Sequence, residues 1–193
     1  MNNPILKSFK RMNERYHEGH EKIPRQDMLF YSLQMFTYNL EERDFILDVG
    51  CGDGDTIEYF IMNNFRCMGI DASIDNLYLC RKKGFEVYPF DVCNLYMFDN
   101  ESIDNIFCRS VVNHVYDLDK SLDELTRILK KDGKIFLGVG INKDGKFNPN
   151  WRNCFEDDVE FIDRLKIRGI KEVNSKMVDY QTWRYLDFVG VKE

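Results

Sequence analysis

The segment Ile46-Leu47-Asp48-Val49-Gly50-Cys51-Gly52-Asp53-Gly54-Asp55 constrains the fold more than any other part of this chain. An apolar run, Phe45–Val49, enters three glycines at alternate positions. It leaves through Ile57, Phe60 and Ile61, whose spacing is helical. Glycine at such a junction lets the backbone turn sharply and lets a ligand approach it closely. A buried strand, a tight turn and a helix make the first half of a βαβ unit, and such units build parallel sheets covered on both faces.

The rest of the chain repeats this texture. Arg66–Ile70 reads as a second strand closed by Asp71, and Phe85–Phe90 as a third closed by Asp91. Ile74, Leu77 and Arg81 trace the helix between them, which stops at Gly84. Ile103–Arg109 is a fourth strand and Lys134–Gly140 a fifth. The stripe Leu118, Leu122, Leu125 and Leu129 predicts a helix terminated by Lys131-Asp132-Gly133. Phe155, Val159, Ile162 and Leu165 predict the last helix. Gly169–Val178 and Thr182–Lys192 have no helix between them, so they must pair as a hairpin with one strand antiparallel to the rest. Before Phe45, the recurrences Ile5, Phe9, Met12, Tyr16 and Leu29, Leu33, Phe36, Leu40 predict two helices, with a broken segment over 19–24. The expected organisation is an N-terminal helical arm over the cleft (1–44) and one doubly wound α/β domain (45–193).

Ligands of such a sheet sit at the carboxyl ends of the strands, near the switch point. A dinucleotide site wants G-x-G-x-x-G with a helix N-terminus on the pyrophosphate. Here the glycines stand at 50, 52 and 54, and Asp55 takes the third dinucleotide position. Asp48, Asp53 and Asp55 would repel a pyrophosphate but suit a ligand carrying an ammonium and a sulfonium. Asp71 can accept both ribose hydroxyls of a nucleoside, or cap the following helix. Asp91 can accept an adenine amino group beside the Val92 backbone, or simply hold a turn.

Taken as a set, these motifs resemble the class I (Rossmann-like) S-adenosylmethionine-dependent methyltransferases. ILDVGCGDGDT resembles their first motif, MGIDAS their acidic ribose motif and PFDVCNL their adenine-side motif. SIDNIFCRSVVNHVYD is similar to their fourth-strand motif, and LTRILKKDGKIFLGV to their leucine-rich helix, turn and fifth strand. The turn departs slightly, reading Lys-Asp-Gly where the family often has Pro-Gly-Gly. The resemblance runs from about Phe45 to Ile141. It implies a seven-stranded sheet in the order 3-2-1-4-5-7-6 with strand 7 antiparallel, and S-adenosylmethionine as cofactor. The cofactor residues it implies are Asp48, Gly50, Cys51, Gly52, Gly54, Asp71, Ala72, Asp91, Val92 and Ser110. Asn13–Gly19 is similar to an arm that closes over the donor in small members, which adds Tyr16.

The acceptor side is less legible. His114 is the first candidate for a general base, because imidazole titrates near neutral pH; the rival reading makes it a packing residue. Asn113, Asp117, His17 and His20 are further candidates. Arg109 and Arg152 are candidates for binding an anionic acceptor, or surface cations. Tyr16, Tyr38 and Trp151 are candidates for an apolar pocket or for the core. The net charge of −6 and pI near 5.2 disfavour a nucleic-acid partner, which would want a basic face. The expected reaction is methyl transfer to oxygen or nitrogen of a small molecule. The alternatives are a protein or RNA methyltransferase and a non-catalytic S-adenosylmethionine-binding subunit. The charged N-terminus and the lack of any roughly 18-residue apolar stretch imply a cytoplasmic protein without membrane contact. The six cysteines lack C-x-x-C pairs and zinc spacing, so they read as free buried thiols and no metal site is expected.

Overall fold

The structure, a computed structural model, describes residues 25–38, 40–143, 148, 150–179 and 183–193. Helix α1 spans Arg25–Thr37. There follow β1 Phe45–Val49, α2 Asp55–Met62, β2 Arg66–Asp71, α3 Ile74–Lys82, β3 Val87–Pro89 and β4 Ile103–Arg109. The chain continues with α4 Leu118–Ile128, β5 Leu129–Asn142, α5 Asp158–Lys166, β6 Ile170–Asp179 and β7 Trp183–Lys192. The strands form one sheet in the order β3-β2-β1-β4-β5-β7-β6. All neighbours are parallel until β7, which runs antiparallel to both β5 and β6. The order and the antiparallel seventh strand are those expected from the sequence.

Successive residues of the central strands fall into different cores, as the two-residue period of a strand requires. Ile46, Phe107 and Phe136 pack with Leu33 and Phe36 of α1 and with Tyr59 and Phe60 of α2. Their neighbours Leu47, Ile106, Cys108, Ile135 and Leu137 pack under α4 and α5 with Leu122, Leu125, Phe161 and Leu165. Phe107 and Phe136 stack at 4.6 Å, and Phe36 and Phe60 contact Phe107 at 5.6 and 5.4 Å. Full burial of each such side chain stabilises the fold by roughly 1.5–3 kcal/mol. Helix α1 is therefore part of the sheet's packing, joined to it through Leu33 and Phe36.

Several boundaries differ from the sequence reading. Helix α4 ends at Ile128, and Leu129 is extended and buried at the start of β5. The last carbonyls of the helix, those of Arg127 and Ile128, accept from the Glu101 and Ser102 N–H groups, so a neighbouring loop ends it before the glycine turn. Lys130–Gly133 then sits in a register shift between β4 and β5, with Asp132 at φ 61°. Strand β3 is shorter than expected at both ends: the Phe85 N–H is tied back to Cys80 O of α3, and Pro89 offers no N–H to prolong the ladder. Phe155 lies before α5, bridging to Ile141, and Asp157 caps the helix by accepting from Glu160 N–H at 2.8 Å. The expected helix around Ile5–Tyr16 and most of the proposed arm lie outside the described residues. All six cysteines are free, and no metal-binding cluster occurs among the described residues. No helix among them is long and apolar enough to cross a membrane.

Candidate functional site

The carboxyl ends of β1, β2, β3 and β4 open into one cavity of about 600 Å3, within the range of small-molecule sites. The loop after β1 forms its floor. Gly50 has φ 72°, and a Cβ there would collide with Val111 Cγ2, so only glycine lets the loop pack against the β4 end. Gly52, at φ 56°, has nothing within 4 Å of where its Cβ would stand, so its backbone is open to a ligand. The Gly50 and Cys51 N–H groups both donate to Ile70 O, at 2.7 and 3.1 Å, which ties the loop to β2.

Asp71 ends β2 and lines the cavity. Its Oδ2 accepts from Gly52 N–H at 2.8 Å and its Oδ1 from Ser73 N–H at 2.7 Å. The helix cap that rivalled the ribose reading is supplied by Ser73, whose Oγ accepts from Asn76 N–H. Asp71 is thus fixed in place with lone pairs still available to a ligand. Asp91 is exposed at the opposite wall, and its Oδ1 accepts from Cys93 N–H at 2.9 Å. Val92, Ala72 and Ser110 also line the cavity.

Three residues of the expected donor set stand behind the wall. Asp48 is 2% exposed and accepts from the Thr56 hydroxyl. Burial, with a smaller contribution from Asp71, pushes its carboxyl up to about 7 despite that bond. Cys51 and Gly54 are buried below the loop. Burial also raises the thiols of Cys51, Cys67, Cys80 and Cys108, which argues against thiolate nucleophiles here. Asp55 turns away to an ion pair with Lys83 at 3.0 Å. The negative character of the cavity therefore comes from Asp71 and Asp91, with Asp48 beneath.

On the acceptor side, His114 lines the cavity and is exposed. Asn113 is committed elsewhere: its amide donates to Gly140 O and Asn153 O and accepts from Gly140 N–H, pinning the loop to β5. Asp117 caps α4 by accepting from Lys120 N–H. Trp151 lies against Gly140, leaving no room for a Cβ there, and does not line the cavity. Tyr38 is 89% exposed. Tyr16, His17 and His20 lie outside the described residues. Arg109 and Arg152 both line the cavity. Sequence reasoning missed Phe90, Asn76 and Tyr116 on its wall. Phe90 directly precedes Asp91 and was findable from that position.

The pattern of a methyltransferase domain matches residues 47–137, which span the loop, both strand-end aspartates and β4. Over that stretch the chain is similar to the class I S-adenosylmethionine-dependent methyltransferases. It is 32% identical over 102 residues to a ubiquinone biosynthesis O-methyltransferase of Pelagibacter ubique, covering 51% of this chain and 42% of that protein. It covers 39% and 60% of two further curated relatives, so it spans about half the length of the proteins it matches. Among solved structures, a [4+2]-cyclase, SpnF, superposes with TM-score 0.76 at 15% identity, over 92% of this chain and 84% of that one. A Burkholderia thailandensis 1,6-didemethyltoxoflavin-N1-methyltransferase, solved with S-adenosylhomocysteine, superposes with TM-score 0.71 at 17% identity, over 98% and 85%. At such identities the superpositions establish the fold alone.

S-adenosylmethionine is the cofactor of this family, and the residues fit it. The buried Asp48 carboxyl lacks a cationic partner among the groups that shift it, and the Gly52 backbone is open to a ligand. A ligand bearing an ammonium and a sulfonium supplies the missing positive charge.

Proposed function

We propose that the chain is a methyltransferase acting on an oxygen or nitrogen atom of a small molecule. The observation that carries this reading is the cavity in which an open glycine loop, Asp71 and Asp91 follow one another along three adjacent strand ends. Asp71 is placed to accept the two ribose hydroxyls, and Asp91 with the Val92 N–H to hold the adenine edge. The Gly50–Gly52 backbone runs beside the amino-acid portion. Bound there, S-adenosylmethionine supplies an electrophilic methyl group on a sulfonium. Orientation is the chain's main contribution, since aligning reactants can be worth roughly 7–11 kcal/mol.

His114 is the group we assign to accept the proton that an oxygen or nitrogen nucleophile loses. Among the described residues its imidazole makes no hydrogen bond, so no structural duty competes with that role. The name of one relative, an O-methyltransferase, supports a small heteroatom acceptor. A release assay for S-adenosylhomocysteine across phenols, amines and organic acids tests the reading. We expect turnover that Asp71→Ala removes. Binding of the donor without turnover on any acceptor class would favour a non-catalytic subunit.

A further inference from the structure

Arg109 ends β4, and its side chain does not rise straight into the cavity. Its Cγ lies 2.8 Å from where a Cβ at Gly138 would stand, and the Tyr185 hydroxyl lies at the same distance. The missing side chain at 138 therefore lets the arginine stem cross β5. The guanidinium settles over the Tyr185 ring at 4.8 Å from its centroid, a cation–π contact that fixes its plane. Its Nε–H donates to Ser32 Oγ of α1 at 3.3 Å, and that hydroxyl donates to Asp187 Oδ2 at 2.7 Å. The Tyr185 and Ser110 hydroxyls meet at 2.6 Å. Residues from α1, β4, β5 and β7 thus hold one guanidinium at the cavity edge.

This mount leaves the binding edge of the arginine free. Among the described residues only its Nε–H is hydrogen-bonded, and neither Arg109 nor Arg152 is in an ion pair. Asp187 is 3% exposed; it is linked to Arg109 through Ser32 and also feels the arginine's charge directly, with no hydrogen bond to its terminal amino groups. The two terminal amino groups form the planar fork that matches carboxylate and phosphate. The cavity is also divided by charge: Asp71 and Asp91 stand at the β2 and β3 ends, Arg109 and Arg152 on the other side. Neighbouring strands are about 4.8 Å apart, so a stem lying over β5 is roughly 10 Å from β1 and its glycine loop. That distance sets the guanidinium apart from the glycine loop, on the far side of the cavity from Asp71 and Asp91.

We propose that the methyl acceptor carries an oxyanion, a carboxylate or a phosphate, which docks on the terminal amino groups of Arg109 with Arg152 at the rim. The proposal rests on the donor-site reading above, and one experiment separates the two. Inorganic phosphate and benzoate are titrated into protein saturated with S-adenosylhomocysteine, followed by the amide NMR signals of Ser110 and Val111. Wild type should show a saturable shift with at least one of the two anions. Arg109→Gln should bind that anion at least tenfold more weakly while S-adenosylhomocysteine affinity, by calorimetry, changes less than threefold. If Arg109→Gln does not fold, Arg109→Lys carries the test, because it keeps charge and stem but loses the fork; it too should bind more weakly than wild type.

No saturable shift in wild type, or equal anion affinity in the variant that folds, overturns the proposal. So does a variant that loses S-adenosylhomocysteine tenfold yet binds 5′-methylthioadenosine, which lacks the amino-acid carboxylate, like wild type. Arg109 would then serve the donor's own carboxylate. Wild-type protein that binds no S-adenosylhomocysteine removes the donor-site reading itself, and the proposal with it.

Discussion

Replacing Asp48 with asparagine separates the cost of a buried carboxylate from its use. The unfolded chain releases this proton near 3.8, whereas burial holds the folded group up to about 7. Between those values the folded state binds more protons than the unfolded one, so stability falls as pH rises through that window. The slope is about 1.36 kcal/mol per pH unit for one group. From pH 5 to 8 the wild type should therefore lose about 2–3 kcal/mol through Asp48 alone. Asparagine retains an acceptor for the Thr56 hydroxyl and cannot ionise, so Asp48→Asn lacks that loss. Urea unfolding of both proteins at pH 5 and pH 8 reads the difference, which cancels every other titrating group. With a slope of about 2 kcal/mol per molar urea, the midpoint of Asp48→Asn should gain roughly 1–1.5 M on wild type between the two pH values. A midpoint difference that stays constant with pH would refute the reasoning.

Other perturbations probe the same site. Asp71→Ala removes a charged acceptor and should weaken S-adenosylmethionine binding by about 1.5–3 kcal/mol in calorimetry; unchanged affinity would take Asp71 out of the site. Gly50→Ala forces a Cβ into Val111 and strains a φ of 72°. It should lower the thermal midpoint, and adding Val111→Ala should recover part of the loss; no recovery would mean that the strain is in the backbone alone. His114→Ala should slow turnover on an oxygen or nitrogen acceptor about 100-fold or more while leaving donor affinity within threefold. Equal turnover would end its assignment as base.

The donor half of the site was legible because its signals are local. Glycines at 50 and 52 and aspartates at two strand ends act within a few residues of where they stand. Even so, the sequence could not say which carboxylate faces the ligand. Asp48 and Asp71 look alike in the string, but strand alternation and the turn bury the first and present the second. Helix α4 was read one residue too long because its end is set by the Glu101 and Ser102 N–H groups, distant in sequence. The mount of Arg109 was invisible for the same reason. It depends on Gly138 pairing with Arg109 in β4 and Asp187 in β7, and on Ser32 arriving from α1. No short-range pattern encodes a contact between residues 32, 109 and 185.

The most direct test of the account is isothermal titration of the protein with S-adenosylmethionine and, beside it, S-adenosylhomocysteine. The account predicts micromolar binding of both, lost together in Asp71→Ala. Binding of neither ligand by wild-type protein would contradict it, and would make the glycine loop a structural turn rather than the floor of a donor site.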